Sequence, residues 1–176
     1  MNKVMFTQKM FNLLMLHNEI DVINPIQQNT VYGIHKDNEP AIYDRILNMI
    51  EIAPQDSLGI ATYYYYNTYF KPLKCDELYN EILALQLIDI AYSTNIETAI
   101  SLLQKSLNIL YDKRIVEIDG TMGNIMIHTL NNTDQNQLNN ILVYVRKEYF
   151  TNLLAGRPMN GQLIVKMNSH ADKFLI

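Results

Sequence analysis

Glu19 is the residue whose type and place could do chemistry. Phe6, Met10, Leu13, Leu14 and His17 recur at three- and four-residue spacing and predict a helix ending near Asn18. Glu19 then falls at the carboxyl-terminal end of that helix, where the chain enters a polar stretch. A helix end of this kind carries partial negative charge, and Leu16 and Ile20 beside it would shield a carboxylate from water, so both effects favour the protonated acid. An acid still protonated near neutral pH is what glycosidic bond cleavage requires of its proton donor. A glutamate at a helix end is far more often an ordinary solvated residue, and its position alone is a weak signal of chemistry.

Other chemistries are poorly supplied. The single cysteine, Cys75, can form no internal disulfide and has no thiolate-stabilising neighbour in sequence, so it reads as an inert thiol. His17, His35, His128 and His170 lie far apart without ligand spacing, so no metal centre is expected, and no cofactor motif is present. Asp89 inside the apolar run Leu83 to Ala91, and Gln104, read as interior polar groups with structural partners; for Asp89 these are expected among loop amides near Ser93 to Asn95. Lys36, Asp37, Asn38 and Glu39 read as a solvated loop, and the nine methionines as core filler.

The 176 residues carry 14 basic and 18 acidic side chains, a formal charge of −4, which leaves no general basic footprint for nucleic acid. No stretch offers the roughly 18 uninterrupted apolar residues of a membrane span, and Met10 to Leu16 lacks the cleavage site of a signal peptide. Neither stable membrane insertion nor signal-directed export is therefore expected.

With only six glycines and five prolines, and apolar spacing of three and four, the chain reads as mainly α. Asp21 to Pro40 is turn-rich, and any short strands should fall in this 20–40 loop. Pro40 starts a second helix, and Pro54 with Asp56 and Ser57 starts a third that carries Tyr63 to Phe70. Cys75 or Asp76 opens a long apolar helix to about Tyr92, and Asn95 caps a fifth that ends near Tyr111. Asp119-Gly120 is a turn, Gly123 to Leu130 a short helix, and Thr133-Asp134 caps a helix ending at Gly156; Asn160-Gly161 turns into the last helix. The expected organisation is one unit of two lobes, 1–74 and 75–176, joined around residues 72 to 78.

Eleven residues after Glu19 comes Thr30-x-x-Gly33-Ile34, with Asn24-Pro25 between them. Ala61 is followed by Tyr64, Tyr65, Tyr69 and Phe70, then come Leu87-Ile88-Asp89-Ile90-Ala91 with Ser93-Thr94-Asn95, Ala99-Ile100-x-x-Leu103-Gln104-x-x-Leu107, and Asp119-Gly120-x-x-Gly123. In this order the chain resembles the glycoside hydrolase family 108 muramidases of phages and prophages, over roughly residues 6 to 170. Their matching segments read Glu-Gly-Gly, Asp-Pro and Thr-x-x-Gly-Ile, a Tyr-rich helix, and a peptidoglycan-binding-like half.

The resemblance implies a lysozyme-like helical fold of two lobes with a cleft, 1–74 catalytic and 75–176 peptidoglycan-binding-like, acting on glycan strands of peptidoglycan. It implies Glu19 as general acid. Phage-type lysozymes commonly add an Asp and a Thr that orient the attacking water; Thr30 is retained, while the Asp-Pro position reads Asn24-Pro25 and the two glycines after the acid are Ile20 and Asp21. Asp21 is the only acid between Glu19 and Asp37, so Asn24 and Asp21 are alternative partners of Glu19 and Thr30. Within the Thr-x-x-Gly-Ile segment Tyr32, Gly33 and His35 are candidates to line a cleft, and Tyr65 and Tyr69 to stack on sugar rings or to pack in the core.

Three functions follow as expectations. The first is an N-acetylmuramidase of endolysin type, held in the bacterial cytoplasm and reaching the cell wall through a phage-encoded pore. The second is a lytic transglycosylase using Glu19 alone, and the third a non-catalytic wall-binding or interaction protein on the same frame.

Overall fold

Thr7 opens the first helix by accepting the Met10 N–H on its side chain at 3.2 Å, and α1 runs Gln8–His17. The computed structural model describes residues 3–155 and 161–176. The fold is mainly α: α1 is followed by three two-residue strands, β1 (Ile26–Gln27), β2 (Thr30–Val31) and β3 (Ile34–His35), then α2 (Pro40–Ile50) and α3 (Pro54–Tyr65). A π-helical turn, Tyr66–Phe70, extends α3. After it come a 3₁₀ turn at Cys75–Glu77, α4 (Glu81–Ser93), α5 (Ile96–Leu110), α6 (Asn124–Asn131), α7 (Gln135–Leu154) and α8 (Gly161–Asp172). Gly156 and Asn160, expected at the end of α7 and in the turn before α8, lie outside the described residues.

The chain divides into two compact units, Phe6–Lys71 and Met1–Met5 with Pro72–Ile176. In the first, proline at the opening turns of α2 and α3 presets the helical φ where no backbone donor is needed. The strands form one antiparallel sheet in the order β1-β2-β3, in the 20–40 loop. Val31 pairs with Ile34 and both are buried, while Thr30 pairs with His35 on the opposite, wetter face. Tyr32 and Gly33 make the connecting turn with φ of +49° and +74°, the two positive values of a type I′ hairpin. Met10, Phe11, Leu14 and Met15 of α1 are buried with the hairpin residues, Tyr43 and Ile46 of α2, and Ala61 and Tyr65 of α3. Burial of side chains this size contributes about 1.5–3 kcal/mol each, so the hairpin is held by packing and not by its four ladder residues.

In the second unit, Leu83 to Ala91 of α4 are all buried, the pattern of a central core helix. The long apolar helix does not open at Cys75 or Asp76: the chain leaves the 3₁₀ turn at an extended Leu78, and Asn80 caps α4 through the Leu83 N–H at 2.9 Å. Gln135 explains the break, since its Oε1 accepts the N–H groups of Tyr79 and Asn80 at 2.8 and 3.0 Å and holds them out of a helix. Asn95 and Asp134 cap α5 and α7.

Asp89 has partners other than the loop amides expected of it. Arg146 of α7 donates to it at 2.5 Å and His170 of α8 lies 3.0 and 3.1 Å from its two oxygens. Burial works against the Asp89 carboxylate, but the His170 hydrogen bond and the Arg146 charge outweigh it and hold its pKa below the ordinary range. Gln104 is satisfied as an interior amide, accepting from Asp119 and Gly120 N–H and donating to Asp119 Oδ1 and Thr121 O.

Candidate active site

Asn18 ends α1, and the next two amides turn back on it: Glu19 N–H donates to Leu16 O at 3.1 Å and Ile20 N–H to Met15 O at 2.8 Å. This is the 5→2 and 6→1 pair of a Schellman ending, whose closing residue is left-handed and most often glycine. Here that residue is Glu19, at φ +59°. A side chain in that region costs about 1 kcal/mol over glycine. The chain closes α1 with glutamate all the same, and the turn sends Ile20 into the core while the Glu19 side chain stays exposed. Leu16 is 70% exposed, so the apolar shield expected around Glu19 is not built from Leu16 and Ile20.

Asp21 and Asn24 act together. Asp21 Oδ1 accepts the Ile23 N–H at 2.8 Å and Oδ2 accepts Asn24 Nδ2 at 3.1 Å. The Ile23 amide first, and then Asn24 through its side chain and backbone, hold the Asp21 carboxyl below the usual carboxylate range. Gln27, which no spacing rule singled out within the polar run of residues 27–30, ties the rest of the loop together. Its Nε2 reaches Glu19 O at 3.5 Å, and its own carbonyl accepts the Thr30 hydroxyl at 2.9 Å. With its proton committed, the Thr30 oxygen can only accept from a further molecule.

The aromatic candidates divide by burial. Tyr32 and Tyr65 are 3% and 1% exposed, so neither ring can stack on a glycan. Tyr32 directs its hydroxyl at Ser57 Oγ, 3.3 Å away, and the Tyr65 hydroxyl donates to Tyr32 O at 3.0 Å. Tyr69 is half-buried, with its ring 5.5 Å from that of Tyr65. Gly33 is buried in the turn and His35 is exposed. Glu19, Asp21, Asn24, Thr30, Tyr32, Gly33, His35, Tyr65 and Tyr69 all belong to the Phe6–Lys71 unit.

Cavities of about 650 and 670 Å³ lie in the other unit, one lined by Gln104, Asp119 and Met126, the other by Tyr79, Asp134 and Gln135. Asp119 and Asp134 are occupied structurally. Asp119 accepts Thr121 N–H and Gln104 Nε2; the Thr121 side chain first, then Gln104 and the Thr121 amide, bring its pKa to about 2, and Asp134 caps α7. Among the described residues no three His, Cys, Asp or Glu side chains are placed to hold a metal ion.

No family model matches the chain, and no curated protein matches it either. Among solved structures it is similar to that of SagA from Brucella abortus, over 96% of this chain and 97% of that one, with a TM-score of 0.57 and 18% identity. The likeness is one of fold. It extends over both units, so the arrangement of elements that carries Glu19 and Thr30 is an established protein architecture.

Proposed function

We propose that the chain is a peptidoglycan-directed glycosidase, an N-acetylmuramidase that cleaves the β-1,4 bond between N-acetylmuramic acid and N-acetylglucosamine with Glu19 as general acid. The observation that carries the reading is the left-handed backbone of Glu19, a position where glycine would be unstrained and a carboxylic acid stands instead. Strained backbone clusters at functional sites, and three of the five left-handed non-glycine residues among those described, Glu19, Gln28 and Tyr32, fall in the segment that carries Thr30. The hydrogen bonds from Gln27 to the Glu19 backbone and from Thr30 to Gln27 support it, because they tie the two residues, eleven apart in sequence, to one loop position.

Glu19 delivers its proton to the leaving glycosidic oxygen, and bound glycan supplies the apolar cover that the free surface lacks. The Thr30 oxygen accepts a hydrogen bond from the attacking water. Asp21, kept ionised by Ile23 N–H and Asn24, takes the proton that this water loses as it adds to the anomeric carbon from the opposite face. The proposal includes cell-wall glycan as partner and the wall as the place of action.

One observation favours a second reading. Both Asp21 oxygens already accept hydrogen bonds, which weakens Asp21 as a base and suits a lytic transglycosylase in which Glu19 alone acts as acid and then base. Mass spectrometry of fragments released from purified peptidoglycan separates the two. Reducing N-acetylmuramic acid ends are expected; 1,6-anhydro ends would establish transglycosylation. No release by protein shown to be folded would leave a non-catalytic wall-binding protein.

A further inference from the structure

Three buried rings join the elements that carry the proposed acid and threonine. Phe11, on α1 eight residues before Glu19, makes edge contacts with Tyr32 at 6.2 Å and Tyr65 at 5.4 Å between ring centroids. Tyr32 opens the hairpin turn two residues after Thr30, and Tyr65 ends α3. All three side chains are at most 3% exposed. A polar link ties this cluster to the turn: the Tyr65 hydroxyl is donated to Tyr32 O at 3.0 Å.

The turn needs such a tether. Tyr32 stands at φ +49°, in the position where a type I′ turn favours asparagine, aspartate or glycine. The hairpin has only two residues in each strand and cannot hold this conformation by its ladder alone. A second tether lies on the same residue: Ser57 Oγ donates to Pro54 O at 2.7 Å, so the Tyr32 hydroxyl is the donor of the 3.3 Å contact with Ser57.

We propose that Tyr65 is a positioning residue for the Glu19 and Thr30 pair: its hydroxyl fixes the Tyr32 carbonyl, and through it the hairpin whose Thr30 is linked by way of Gln27 to the Glu19 backbone. This rests on the glycosidase reading and assigns Tyr65 a role other than sugar stacking. The ring is buried and touches no substrate, so it acts on the step that needs alignment. A displacement of about 1 Å in a reacting group costs on the order of a hundredfold in rate, and loss of one tether should cost part of that.

The test is Tyr65→Phe, which keeps the ring and removes one oxygen, measured on peptidoglycan fragments in wild-type and Thr30→Ala backgrounds, with amide hydrogen exchange as a readout independent of activity. The proposal expects kcat to fall about tenfold with KM unchanged. It expects no further fall when Tyr65→Phe is added to Thr30→Ala, because both act through the same hydroxyl. It also expects faster exchange of the Tyr32 and Lys36 amides, which donate to Pro25 O and Asn29 O, with protection in α4 unchanged. Ser57→Ala, which removes the second tether, should move the same quantities in the same direction and serves if Tyr65→Phe does not fold. A rise in KM at constant kcat would overturn the proposal in favour of a sugar contact, and a fully additive double mutant would reduce Tyr65 to a stability role. If the wild type releases nothing, the glycosidase reading fails by that result and the catalytic half of this proposal with it; unchanged exchange at Tyr32 and Lys36 overturns the tether itself, whatever the activity.

Discussion

Asn24 donates a side-chain hydrogen bond to Asp21 at 3.1 Å, so two residues that read as alternatives in the sequence form one group. Asn24→Ala removes a donor that favours the Asp21 carboxylate, while the Ile23 amide remains. The Asp21 carboxyl should therefore titrate at higher pH in the variant than in the wild type, yet still below the ordinary value of about 3.9. Carbon-detected NMR titration reads this directly. If Asp21 is the base, the acid limb of the pH–rate profile moves upward with it; identical midpoints in the two proteins would contradict the assignment.

Glu19→Gly should make the protein more stable and inactive. Glycine relieves the left-handed backbone at the end of α1, worth about 1 kcal/mol, or about 2–4 °C in Tm for a chain of this size. Thermal melts of the two proteins check it, and a lower Tm in the variant would show that the Glu19 side chain holds the turn instead of straining it.

Asp89→Asn tests the ionic core of the other unit. Arg146 is 1% exposed, and its Nε and Nη1 have no hydrogen-bond partner among the described residues, so its charge depends on Asp89 and on the Phe150 and Phe174 rings at 5.7 and 5.5 Å. Removing the partner of a buried charge costs about 3–5 kcal/mol, to be measured by urea unfolding. The pH dependence has a definite sign. Because the folded pKa of Asp89 is depressed, its contribution is complete above the unfolded value of about 3.9 and disappears as pH falls through the lower folded value. Asp89→Asn should flatten that acid limb.

Gly120→Ala should destabilise by about 1–2 kcal/mol. Gly120 has φ +70°, and a Cβ there would stand 2.4 Å from Glu97 Cγ and 3.1 Å from Glu97 O. The same urea experiment checks it, and a neutral result would mean that the loop bearing Asp119 moves freely over α5.

The helical architecture was legible because its signals are local. Pro40 and Pro54 start α2 and α3, Asn95 and Asp134 cap α5 and α7, and the apolar spacing runs unbroken between them. The break at Leu78 to Asn80 was not legible, since it depends on a hydrogen bond that the Asn80 N–H donates to Gln135, 55 residues away. Asp89 was recognisable as buried, but its partners come from α7 and α8, at separations of 57 and 81 residues that no local pattern encodes. At the candidate site, Glu19 could be singled out by its place at a helix end, whereas its left-handed backbone could not, because the usual marker of that conformation is a glycine it lacks. Tyr32 and Tyr65 carry the same composition signal whether they face sugar or core, and only burial separates the two. Gln27 is one amide in a polar run, and its reach to Glu19 depends on how the hairpin folds back.

The most direct test of the account is the initial rate of fragment release from purified peptidoglycan by the wild type and by Glu19→Gln, both shown by circular dichroism and thermal melting to be folded. The substituted amide preserves the shape of the side chain and cannot deliver a proton to the leaving oxygen. The account predicts a loss of about 10²–10⁴-fold in kcat, the range expected for a general acid, with the melting temperature nearly unchanged. Equal rates from the two proteins would contradict it.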